Sequence, residues 1–152
     1  MKMTPKEAID HILEDAPGIL QKDKYHAPIL FIFGEKENAI ALIEFKDSRS
    51  KRKAMWAAGI KAAPLQPYCI AFVSEAWMAK QFPPEGKEIH DMPDKEECLV
   101  VAAQSIDRET QVAAIPFSRV GGEVILGETI YTPETASYLL ELFWRGVAEG
   151  SD

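Results

Sequence analysis

The chain has 152 residues and a net charge of −7, with 47% hydrophobic and 27% charged residues. That size and balance belong to one globular domain able to fold without metals or disulfides. The acidic charge disfavours wholesale attraction to nucleic acid or anionic lipid. The longest apolar run, residues 27–33, is far short of the roughly 20 residues a membrane span needs. The first residues lack the apolar core of a signal peptide, so a cytoplasmic protein without membrane contact is expected.

Thr4-Pro5-Lys6-Glu7 opens the first helix: Thr4 caps, Pro5 takes the first helical position, and Glu7 stands three residues after the cap. Ile9, Ile12, Leu13, Ala16, Ile19 and Leu20 follow at helical spacing, and Pro17-Gly18 weakens or bends the helix near its end. Pro28 to Phe33 and Ala39 to Phe45 read as two strands of an antiparallel hairpin joined by a polar turn. Both runs are nearly continuously apolar, which predicts central strands covered on both faces.

Ser48 or Ser50 is the expected cap of a second helix over residues 51–63, which is rich in alanine and ends at Pro64. A strand from Tyr68 to Ser74 follows, and the strand, helix, strand order predicts a right-handed crossover if the two strands are parallel. Residues 79–97 form a long acidic connector containing Pro83, Pro84 and Pro93, and connectors of that length are usually functional or disordered. Residues 98–105, 111–117 and 123–131 then read as an antiparallel meander with turns at Asp107-Arg108 and Gly121-Gly122. Thr132-Pro133-Glu134 starts a last helix reaching about Val147. The expected fold is a single α+β domain over residues 1–152. A mixed or antiparallel sheet of about six strands carries three helices, in the order α-β-β-α-β-β-β-β-α.

Ser74-Glu75-Ala76-Trp77 is the first candidate site, because ligands in α/β folds often bind beyond the carboxyl ends of strands. Glu75 serves as an acid or base if Trp77 and its neighbours desolvate it. The structural alternative has Ser74 capping a short helix that begins at Glu75. His90 and Asp94 in the connector complete the candidate binding set with Ser74, Glu75 and Trp77. The segment Val73-Ser74-Glu75-Ala76-Trp77-Met78, followed by the connector ending Pro93-Asp94-Lys95-Glu96-Glu97, resembles a pattern found in small uncharacterised bacterial proteins. The resemblance covers about a fifth of the chain and implies no activity.

Glu44-Phe45-Lys46 resembles the Glu-x-Lys of metal-dependent nuclease cores of the restriction-endonuclease type. The resemblance implies that Glu44 holds Mg²⁺ and that Lys46 positions water or stabilises phosphate charge. The preceding strand lacks the Asp such a site needs, which leaves the cation short of oxygen ligands. Lys46, Arg49, Lys51, Arg52, Lys53 and Lys61 form a basic cluster against Asp47, on an otherwise acidic chain. Such asymmetry steers an anionic partner, or is simply a solvated helix entrance. His11, His26 and His90 lack metal-ligand spacing, and Cys69 and Cys98 sit in apolar runs as reduced core thiols. No metal and no cofactor is expected. In the last helix, Tyr138, Leu142, Phe143 and Trp144 exceed one buried stripe, which fits either self-association or wedging between the sheet and another helix.

The function expected from these features is non-enzymatic binding, by a homo-oligomer, of an unidentified protein or small molecule, with nucleic acid disfavoured. The alternatives are a hydrolase using Glu75 and connector carboxylates, and a Mg-dependent nuclease-like or nucleic-acid-binding protein using Glu44, Lys46 and the 46–61 cluster.

Overall fold

The computed structural model describes residues 2–78, 95–133 and 138–151. The N-terminal helical segment is two helices, α1 (Pro5–Leu13) and α2 (Ala16–Asp23). In α1, Thr4 Oγ1 accepts from the Glu7 amide and Glu7 Oε1 accepts from the Thr4 amide, the reciprocal box its sequence predicts. The break falls before Pro17, which has no N–H to offer the Leu13 carbonyl. Lys24 then closes α2 in the left-handed region, at φ 63°.

Strands β1 (Ile29–Gly34) and β2 (Ala39–Leu42) form the expected hairpin. Helix α3 (Ser48–Ala62) begins one residue earlier than a Ser48 cap allows and three earlier than a Ser50 cap allows. Asp47 is the cap: its Oδ1 accepts from the Ser50 amide at 2.8 Å, and Ser50 Oγ accepts in return from the Asp47 amide. A single 3-10 turn (Ala63–Leu65) leads into β3 (Pro67–Met78), which pairs with β4 (Glu96–Ser105). Strand β3 therefore continues past Ser74 to Met78, and no helix starts at Glu75. Strand β4 begins at Glu96, two residues before the expected start.

Strand β5 (Thr110–Val120) carries two short partners along one edge, β6 (Glu123–Leu126) and β7 (Ile130–Pro133), where one continuous strand was expected. Pro116 explains the split. Its carbonyl accepts from the Gly127 amide at 2.7 Å, so the N–H it lacks is the one that would have answered across the same pair. The ladder stops there and resumes at β7.

Every pairing is antiparallel, and the sheet order is β2-β1-β3-β4-β5-β6, with β7 also on β5. Strands β2 and β3 both oppose β1, so they run in the same direction with α3 as the crossover between them. The fold class is α+β, as the sequence predicts.

Each sheet face carries its own apolar core. Helices α1 and α2 cover Cys69, Ala71, Val73, Leu99, Val101, Ile115 and Phe117 through Ile9, Ile12 and Leu20. Helices α3 and α4 (Tyr138–Gly150) cover Leu30, Ile32, Ile70 and Phe72 through Met55, Leu140, Phe143 and Trp144. Two glycines let α3 and α4 touch backbone to backbone. A Cβ on Gly59 would lie 2.0 Å from the Phe143 carbonyl oxygen, and one on Gly146 would lie 2.1 Å from that of Trp56. Leu142, Phe143 and Trp144 are thus taken up in this core, while Tyr138 at the start of α4 stays exposed. Trp144 Nε1 donates to Gln104 Oε1 at 2.9 Å, and Gln104 Nε2 donates to Thr110 Oγ1, so this buried polar chain is satisfied.

Candidate functional site

Alternation along β3 decides what Ser74–Met78 can do. Cys69, Ala71 and Val73 lie on the α1/α2 face, so Glu75 and Trp77 continue that face, while Ile70, Phe72 and Ser74 take the opposite one. Ser74 and Glu75 therefore do not share a surface. Glu75 is largely covered, its side chain 18% exposed, and both carboxylate oxygens are engaged. Oε2 accepts from the His26 amide at 3.0 Å and Oε1 accepts from Arg119 Nη2 at 2.9 Å.

Arg119 also donates Nε to Glu97 Oε2 at 3.2 Å and Nη1 to the Lys24 carbonyl at 2.7 Å. Its guanidinium sits 5.2 Å from the centre of the Phe117 ring. One planar cation thus ties β3, β4, β5 and the link from α2 to β1 into a single latch. The His26 ring is buried, and its Nδ1 lies 2.8 Å from the Ala27 carbonyl; a carbonyl only accepts, so Nδ1 carries the proton. Trp77 is half open to solvent beside this latch, with Lys95 Nζ 5.0 Å from its ring centre. His90 and Asp94 lie outside the described residues, as does the connector from 79 to 94.

The second candidate region lies between the end of β2 and the first turns of α3. Glu44 and Lys46 are both exposed, and among the described residues no group of three or more His, Cys, Asp or Glu side chains is placed to hold a metal ion. One member of the basic cluster is drawn off the surface. Lys51 turns inward over the Phe45 and Phe72 rings, at 4.8 and 5.4 Å, and burial pulls its pKa below the usual lysine value. Lys46, Arg49, Arg52, Lys53 and Lys61 remain at the surface. Burial drives the two thiols the other way, Cys69 up to about 12 and Cys98 up to about 11, so neither is a nucleophile near neutral pH.

The residues that sequence reading missed are on β2. It is an edge strand of the sheet, not a central one. The Ile43 amide donates to the Pro28 carbonyl at 2.9 Å, which fixes the phase of the ladder. Ala39 and Ala41 then turn their amides and carbonyls toward β1, while Ile40 and Leu42 turn theirs away. Among the described residues no strand pairs on that side. Ile40 and Leu42 are 68% and 55% exposed on the α1/α2 face, where Ile40 lines an open pocket together with His11 of α1.

On the other face of β2 lies a groove of about 410 Å³, floored by Ile32, Ala39 and Ala41 and walled by Ala54, Ala57 and Ala58 of α3. The signal in the sequence is the alternation Ala-Ile-Ala-Leu over 39–42: small residues on one face and large ones on the other. The expectation of two covered faces counted both kinds as equivalent.

Among the described residues no helix is long and apolar enough to cross a membrane. No curated protein and no solved structure matches the chain. The family model described as bacteriophage lambda protein ea47 matches residues 1–143, nearly the whole chain, which therefore belongs to that family.

Proposed function

We propose that this chain is a non-enzymatic interaction domain that binds another polypeptide chain along the open edge of β2. The carrying observation is that at the same residues, Ile40 and Leu42, large apolar side chains are exposed and the backbone has no strand partner among the described residues. Edge strands of soluble proteins are normally blunted by charge, proline or a bulge, and β2 has none of these within Ala39–Leu42. An edge of this kind is the template for β-strand addition, in which main-chain hydrogen bonds supply affinity and alternate side chains supply specificity. The adjoining groove gives the incoming strand an apolar wall on its α3 face.

The hydrolase alternative draws no support from Glu75, whose two oxygens already serve the Arg119 latch. Cross-linking tests the proposal. A photoreactive benzoylphenylalanine in place of Ile40 or Leu42, irradiated in cells, is expected to give discrete protein adducts; the same group in place of the exposed Lys22 on α2 is expected to give none. Equal labelling from all these positions, or none from β2, contradicts it.

A further inference from the structure

The two ends of β2 differ in charge, and this identifies what the edge receives. In the turn before it Glu35 is held by Lys2 and Glu37 stands exposed beside Lys36, whereas the exposed start of α3 after it is net basic, with Arg49, Arg52 and Lys53 against Asp47. Resting on the interaction reading above, we propose that the occupant is β2 of a second copy of this chain, paired antiparallel about a two-fold axis through Ala41, so that two sheets join into one.

The backbone permits this register. Ile40 faces the partner's Leu42, and by symmetry Leu42 faces the partner's Ile40, so the amides and carbonyls that point away from β1 satisfy one another. A slip of one residue would set Ile40 against Ala41, whose polar groups are already turned to β1. The side chains agree with it. On the α1/α2 face, Ile40 and Leu42 of each copy become cross-strand neighbours and leave water together. On the α3 face Ala41 meets its own symmetry copy, and Ala39 lies opposite the inward-packed Ile43. The charges agree as well: an antiparallel two-fold sets the exposed Glu37 of each copy toward the basic α3 entrance of the other, twice over. A different protein would have to match that polarity independently, whereas a second copy matches it by symmetry.

Sedimentation equilibrium of the purified chain is expected to give a mass near twice 17.0 kDa that declines on dilution. Leu42→Lys is expected to weaken dimerisation by about tenfold or more, the equivalent of one buried leucine side chain. Its thermal unfolding as a monomer checks that the fold survives. Ala41→Cys supplies the register test. Opposed residues at a non-hydrogen-bonded position lie about 4.5 Å apart at Cα, within disulfide range. Oxidation is therefore expected to link Ala41→Cys chains into dimers and to leave Ala57→Cys chains unlinked, with the buried Cys69 and Cys98 silent in both. A monomer at the highest attainable concentration overturns the proposal, and so does a dimer that Ala57→Cys links and Ala41→Cys does not. If the chain is monomeric while position 40 cross-links to a protein of another mass, the second copy is wrong and the interaction reading stands.

Discussion

Arg119 shows how much of this fold hangs on one side chain. It binds Glu75, Glu97 and the Lys24 carbonyl, and so secures the entry to β1 against the centre of the sheet. Arg119→Ala strands a mostly covered carboxylate, and the expected loss in urea-unfolding free energy is about 1–3 kcal/mol. Arg119→Lys is expected to recover only part of it, because an ammonium cannot span three acceptors in a plane. Asp47 makes a prediction in pH. Hydrogen bonds from the Ser50 amide and hydroxyl hold its carboxyl below the usual aspartate value. The folded pKa is the lower one, so the stabilisation is fully present above the unfolded value of about 3.9 and is lost as pH falls through the folded value. Asp47→Asn keeps a capping oxygen but does not titrate, so its acid-unfolding curve is expected to be shallower in that range than that of the natural chain.

At the scale of elements, helix and strand identity follows from apolar periodicity, although the structure divides the first helix and the last strand in two and places Thr132 and Pro133, the expected start of the last helix, in β7. What one-dimensional pattern does not carry is which hydrogen-bonding side of a strand is occupied. The Ala39–Phe45 run was apolar enough for a central strand, and only the sheet order makes β2 an edge. Pro116 and Pro17 were visible as residues, but the ladder at β5 and the missing donor between α1 and α2 show which bonds they remove. The Glu75 latch was half legible: the strand and its carboxylate could be read, while Arg119 lies 44 residues away and meets it through register alone. The crossing of α3 and α4 was equally hidden, since Gly59 in an alanine-rich helix looks replaceable. Gly59→Ala is expected to lower stability by about 1–3 kcal/mol through overpacking against the Phe143 carbonyl, despite the better helix propensity of alanine. The thermal midpoint reads that sign directly.

For the whole molecule, helix pairs cover both faces of the sheet, whereas among the described residues no strand pairs on the outer side of β2. That asymmetry is the basis of the interaction reading, and it places binding away from the Glu75–Arg119 latch at the far end of β3. Amide hydrogen exchange as a function of protein concentration tests it most directly, because neighbouring residues of one short strand serve as probe and control. The Ala41 amide, bonded to β1, should exchange slowly at every concentration. The Ile40 and Leu42 amides should exchange quickly in dilute solution and become protected as concentration rises. Equal and fast exchange of Ile40 and Leu42 at all concentrations, with Ala41 protected throughout, would contradict a second copy on this edge.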